Sequence, residues 1–375
     1  MDGAAGQRSG ERSRERLARM FEIQAAGCAA YGAGLYGLLL RRVADDIRAG
    51  GPCAEAVAGY EDAPGPDAVA LRLAGAVHAL VLSGRAPELA GYYPSAGGAW
   101  SPEAVEDCWS AFRATVAAEL PWVRSWMTRP PQTNEVGRSN LLIAGLLYAV
   151  TAAPLPVRLF ELGSSAGLNL RPEQHRYTAA RGEGTGDGGY AWGPADSPVR
   201  LADGWTGGAP GWLVEAAAAH PKLDVVERRG CDLTPIDPLS EDGALALRAY
   251  VWPDQPDRLD RLAGALRLAA DHPATVEPAG AGDFLAGIDL RPGTLTVVWH
   301  SVMRQYVPAG EWARVEAELD RLAAASTPDA AFAHIAFEPE RVGDRFPFRL
   351  SVRVGSGTRV RLAEAAGHGM PAKRS

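Results

Sequence analysis

The run Phe160-Glu161-Leu162-Gly163-Ser164-Ser165-Ala166-Gly167 carries the most legible chemistry in the chain. A hydrophobic stretch ends in an acid and is followed by two glycines four residues apart. The pattern predicts a strand, a turn in which glycine accepts left-handed backbone, and a helix start whose unbonded N–H groups favour a carboxylate or phosphate. In an open α/β sheet such a loop borders the crevice beyond the carboxyl ends of the strands, where ligands bind. Two other polar groups invite chemistry. His300 lies at the predicted end of a later strand and is the candidate general base, with a hydrogen-bonded structural role as its rival. Asn134, Glu135 and Arg138 form a polar group upstream. Glu135 and Arg138 are three apart and share a helix face. The planar guanidinium of Arg138 suits a carboxylate or phosphate, although a surface ion pair with Asn134 as helix cap accounts for the same residues.

Three ligand chemistries compete for the glycine loop. A dinucleotide fingerprint needs G-x-G-x-x-G and an acid about twenty residues on, and neither is present. A nucleophile elbow needs G-x-S-x-G between strand and helix. Gly163-Ser-Ser165-Ala-Gly167 fits that literally, with Ser165 as nucleophile and His368 as a late histidine, but only helices precede it. The third reading fits more of the chain. Phe160-Glu161-Leu-Gly163-Ser-Ser-Ala-Gly167 resembles the first motif of S-adenosylmethionine-dependent methyltransferases. Leu223 to Asp232 resembles their second strand and ribose-holding acid, with Glu227 as the rival to Asp232. Gly282-Asp283-Phe284 resembles the pair whose Asp reaches the adenine. Thr296 to Met303 resembles the fourth strand, whose end faces the transferred methyl. That resemblance implies cofactor contacts from Glu161, Gly163, Ser165, Gly167, Asn169, Asp232 and Asp283. Ser165 stands where the motif usually has its middle glycine.

The whole pattern also resembles a domain-of-unknown-function family of bacterial, largely actinobacterial, methyltransferase-like proteins. Tyr92-Tyr93-Pro94, Gln132-Thr-Asn134-Glu135-Val-Gly-Arg138, Glu161 to Leu170, Arg229-Gly-Cys-Asp232 and Val251-Trp-Pro-Asp254-Gln255 carry that resemblance. It implies Tyr93, Asn134, Glu135, Arg138, Asp254 and Gln255 as substrate-binding residues. Asp254 equally suits a helix N-cap. The resemblance implies fold and cofactor class, but no reaction.

The elements that must position these residues fall into two parts. Residues 1–10 are expected to be disordered. Residues 11–150 read as a helical domain, with helical spans at 11–48, 67–83, 101–120 and 134–150. Residues 151–375 alternate strands with helices, which predicts a parallel sheet. Two final runs, Phe348–Val354 and Thr358–Ala363, flank Gly355-Ser-Gly357 and predict an antiparallel hairpin. The fold class is therefore α/β: a Rossmann-like, seven-stranded methyltransferase-type sheet preceded by an all-helical domain. Residues 178–211, rich in Gly, Asp and Pro, predict a surface insertion, within which Gly182–Gly189 reads as a flexible loop.

The net charge of −7 over 375 residues argues against a nucleic-acid surface. Four scattered cysteines show neither metal spacing nor a disulfide framework. The apolar stretch from Ile23 to Leu40 is Ala/Gly-rich and reads as a buried helix rather than a membrane span. The expectation is a cytoplasmic protein with a small-molecule substrate, no metal, no nucleic acid and no membrane, with a protein partner or homo-oligomer left open. The leading function is adenosylmethionine-dependent methyl transfer to a small molecule. The alternatives are a catalytically retired scaffold that binds a ligand or serves a biosynthetic enzyme as partner subunit, and a serine hydrolase using Ser165.

Overall fold

The computed structural model describes the backbone of residues 2–180 and 189–375, with side chains from residue 10 onward except Pro66. The chain forms two compact units, Met1–Thr133 with Ser240–Leu259, and Asn134–Leu239 with Asp260–Ser375.

The first unit is helical. Its spans include Asp2–Ala30, Gly34–Ala49, Val69–Leu82, Val105–Ala118 and Leu120–Met127. The long first span of the sequence reading is two helices, because Tyr31-Gly32-Ala33 breaks it with Gly32 at φ 78°. The helix also begins at Asp2, so residues 2–10 are helical rather than disordered. Segment Ser240–Leu259 joins this unit through its apolar side chains. Gly75 has no Cβ, and the Tyr250 ring packs in the space a Cβ would occupy. Trp126 Nε1 donates to the Tyr250 hydroxyl at 3.1 Å.

The second unit holds an eight-stranded sheet. Its strands are β1 Val157–Leu162, β2 Val225–Asp232, β3 Thr275–Pro278, β4 Thr294–Ser301, β5 Ala330–Pro339, β6 Phe348–Val354, β7 Val360–Ala365 and β8 Ala372–Arg374. Their order is β8-β7-β6-β5-β4-β1-β2-β3. The pairs among β3, β2, β1, β4 and β5 are parallel, and β6, β7 and β8 add on antiparallel. The winding direction reverses between β1 and β4, the position at which open sheets leave a crevice. The expected count of seven strands is corrected to eight, because the last residues form the short edge strand β8.

Helix Ser139–Ala152 belongs to this unit, so the boundary falls at residue 133/134 rather than 150. Its residues are buried almost all round, which marks a core helix rather than an amphipathic surface one. Gly145 on it lets Ile335 of β5 approach within 2.6 Å of where a Cβ would stand.

Strand alternation sorts the side chains onto two faces. Phe160, Leu162, Val298 and Phe332 pack with Phe284, Trp312 and Val315 on one face. Glu161, Trp299 and Ile335 are in register with one another and point to the other, toward Ser139–Ala152. The insertion between β1 and β2 carries a small three-stranded sheet of Arg176–Ala179, Tyr190–Trp192 and Arg200–Leu201. The loop expected at Gly182–Gly189 lies outside the described residues up to 188. Among the described residues, no helix is long and apolar enough to cross a membrane.

Candidate functional site

The glycine loop leaves β1 as predicted, but no α-helix follows it. Two short 3-10 turns, Leu168–Leu170 and Pro172–Gln174, lead straight into the next strand. Pro172 explains this, because the residue before a proline is disfavoured in helical conformation. The expected anion site at a helix N-terminus is therefore replaced by an internally bonded turn. Ser164 N donates to Cys231 O, Gly167 N to Ser164 O and Leu170 N to Gly167 O. Leu168 N donates to Asn134 Oδ1 at 2.9 Å. Buried Arg171 donates from Nη1 to Gly167 O at 2.8 Å, a contact the sequence reading missed.

Three alternate loop residues are left-handed: Gly163 at φ 66°, Ser165 at 55° and Gly167 at 66°. The middle position requires this backbone and is occupied by a serine, at a steric cost of about 1–2 kcal/mol. Ser165 N donates to Asp232 Oδ2 at 2.9 Å, and Thr234 N donates to Asp232 Oδ1 at 2.9 Å. Asp232, at the end of β2, thus anchors the strained turn. The spaces beside both glycines are taken by side chains. A Cβ on Gly163 would lie 3.1 Å from Met303 Cβ, and one on Gly167 would lie 2.8 Å from Val276 Cγ2.

Glu161 is the unusual group. It is buried, accepts from Trp299 Nε1 through Oε1 at 3.1 Å, and its Oε2 has no hydrogen bond. Burial pushes its carboxyl up to about 8, with the Asp232 charge adding to the rise. The Trp299 hydrogen bond and the charges of Arg138 and Arg171 oppose it.

His300 lies on the opposite face from Glu161. Both of its ring nitrogens are engaged: Nδ1 with Glu338 Oε1 at 2.8 Å and Nε2 with His334 Nε2 at 3.0 Å. Arg359 Nη2 lies 3.2 Å from His334 Nδ1. Arginine only donates, so His334 Nδ1 accepts and its Nε2–H donates to His300. His300 in turn donates from Nδ1 to Glu338. The direction of the whole chain follows from one arginine. Burial, then the His300, Arg359 and Arg353 groups, pull His334 well below the usual histidine range, which keeps it neutral. The candidate base is therefore a link in a buried chain. The signal was present in the sequence: adjacent parallel strands put His300, His334 and Glu338 on one face.

The remaining candidates are distributed as follows. Glu227 pairs with buried Arg158 at 2.7 Å, five residues before the end of β2, which removes it as the rival to Asp232. Asp283 is exposed and pairs with Arg314 on the surface. Asn169 accepts from Ser139 Oγ at 2.8 Å and donates to Glu135 O at 3.3 Å. The Glu135 carboxylate accepts from Gly137 N at 3.0 Å, so it caps its own turn. Arg138 donates to Gly367 O at 3.0 Å and Ser301 O at 3.3 Å. Asn134, Glu135, Arg138 and Asn169 thus brace the glycine loop and the end of β4.

Tyr93, Asp254 and Gln255 belong to the helical unit. Tyr93 is fully buried there beside Tyr36 and His78. Asp254 Oδ2 accepts from Leu35 N at 2.9 Å, capping a helix distant in sequence, where Ala33 offers no side-chain acceptor. Gln255 donates to Tyr31 O at 2.9 Å and accepts from Arg258 Nη1 at 2.7 Å.

No curated protein and no solved structure matches the chain in sequence or fold comparison. One family model does, over residues 18–374, nearly the whole chain. The protein therefore belongs to the bacterial family described as "Uncharacterized protein conserved in bacteria (DUF2332)".

Proposed function

We propose that the sheet unit is a Rossmann-like, methyltransferase-type domain that binds S-adenosylmethionine at the carboxyl ends of β1 and β2 and acts on a small molecule. Glu161 carries this reading. A carboxyl buried with one oxygen unpaired, and held protonated near neutral pH despite the charges of Arg138 and Arg171, has no hydrogen bond from a cationic group. The ligand's ammonium would supply that bond and restore ionisation. The left-handed glycine turn beside it and Asp232 at the end of the next strand support the same reading. The parallel order β3-β2-β1-β4-β5 is that of a doubly wound sheet. When bound, the cofactor supplies an electrophilic methyl group on a sulfonium. The chain's own part is to hold that group in line with a nucleophile and exclude water.

A second reading has its own observation. His300 has no ring nitrogen left for a substrate, which favours a scaffold that binds the ligand without transferring its methyl. The hydrolase reading loses the helix on which a nucleophile elbow is mounted. Mass spectrometry of the denatured, freshly purified protein tests the proposal. Near-stoichiometric adenosylmethionine or adenosylhomocysteine supports it. Their absence, combined with no uptake of added adenosylmethionine by the folded chain, overturns it.

A further inference from the structure

The turn after β4 is built more firmly than a connection needs to be. Val302 is β-branched yet sits at φ 54°, a backbone conformation that such residues rarely adopt. That conformation turns the next two amides toward one oxygen. Met303 N and Arg304 N donate to Glu338 Oε1 at 3.0 and 3.3 Å, and His300 Nδ1 donates to the same atom at 2.8 Å. Arg138 Nη1 holds the carbonyl of Ser301, just before the strained residue. Arg304 places its guanidinium over the Trp312 ring, 4.7 Å from its centroid. The product of this bracing is the position of Met303, whose side chain lies against Gly163.

We infer that Glu338 is a positioning residue and Met303 a specificity-determining one. Glu338 holds the Val302–Arg304 turn so that Met303 covers the first glycine of the loop. A ligand reaches the loop backbone only in the fraction of molecules in which Met303 has swung away. The apparent affinity is reduced by that fraction. The His334–His300 chain keeps the latch oriented, because it delivers a third donor to Glu338 Oε1. The inference rests on the proposed ligand reading for its consequence, but its geometry is testable without ligand.

The test uses the full chain and two measurements. In ligand-free protein carrying ¹³C-methyl methionine, the Met303 methyl should show a nuclear Overhauser contact to the Gly163 α-protons. Glu338→Ala should abolish the contact. Glu338→Gln should keep it, because a single oxygen serves all three donors. Adenosylmethionine titration should then show Met303→Ala binding about tenfold more tightly than wild type. Loss of the contact in Glu338→Gln as well as Glu338→Ala, or its survival in Glu338→Ala, overturns the latch. Should Glu338→Ala not fold, the Gln variant and Met303→Ala still decide. Unchanged or weaker binding by Met303→Ala overturns the gate. If neither wild type nor Met303→Ala binds adenosylmethionine, the ligand reading and the gate fail together, while the methyl contacts still decide the latch.

Discussion

The two faces of one sheet edge treat their buried polar groups in opposite ways. On the face of α-helical residues Trp312 and Val315, His300, His334, Glu338 and Arg359 form a continuous chain with one allowed direction. On the other face, Glu161 has a single hydrogen bond, from Trp299, and one oxygen with none. A buried polar group without a partner costs free energy, whereas a satisfied network rigidifies its surroundings. The first face therefore reads as framework. The second reads as a site that stays incomplete until something cationic arrives.

The comparison breaks most readily at the chain's midpoint. Replacing His334 by Leu removes the link and strands the lone pair of buried His300, while exposed Arg359 turns to solvent. The expected loss is about 2–4 kcal/mol, measured as a fall in the urea midpoint at constant slope. By contrast, Glu161→Gln in ligand-free protein near pH 4.5, below the window in which the carboxyl titrates, should stay within about 1 kcal/mol of wild type, because the amide resembles the protonated carboxyl. A loss at Glu161 as large as that at His334 would erase the distinction between the faces.

The next effect is a pH dependence. The Glu161 carboxyl is raised from 4.5 to about 8 in the folded protein. The folded state therefore binds more protons than the unfolded one between those values. The contribution of Glu161 to stability is complete below about 4.5 and is lost as pH rises through about 8. Wild type should lose on the order of a few kcal/mol relative to Glu161→Gln across that window. Parallel stability curves for the two proteins would contradict this. The smallest expected change is at the loop itself. Ser165→Gly relieves the left-handed backbone and should stabilise the protein by about 1 kcal/mol, seen as a rise in Tm. A decrease would mean that the serine hydroxyl holds the turn.

Much of the fold was legible in the sequence. The hairpin strand Phe348–Val354 has the expected bounds, and its partner, expected at Thr358–Ala363, runs two residues later at both ends, Val360–Ala365. Period-two alternation and flanking turn residues carry that signal. The unit boundary was not legible, because an apolar helix such as Ser139–Ala152 gives no hint of which core it fills. The missing helix after Gly167 was foreshadowed by Pro172, but the motif outweighed the proline. Edge strand β8 is three residues long and charged at two of them, too short for a periodic signal.

The site was legible in its residues more than in their roles. Glu161, Asp232 and Ser165 do meet around the loop. His300 was placed at the right strand end, and strand alternation puts His334 and Glu338 of β5 on its face, but that β5 lies beside β4 is fixed by the sheet order. Asp254 was read as a cap for the helix that follows it, and it caps another helix instead. Long-range hydrogen bonds of this kind leave no trace in local spacing.

Calorimetric titration of S-adenosylmethionine into wild type and Glu161→Gln tests the central claim most directly. The account predicts saturable binding to wild type and binding about tenfold or more weaker in the variant, whose amide cannot ionise against the ligand's ammonium. Equal affinities, or no binding to folded wild type at millimolar ligand, would contradict it.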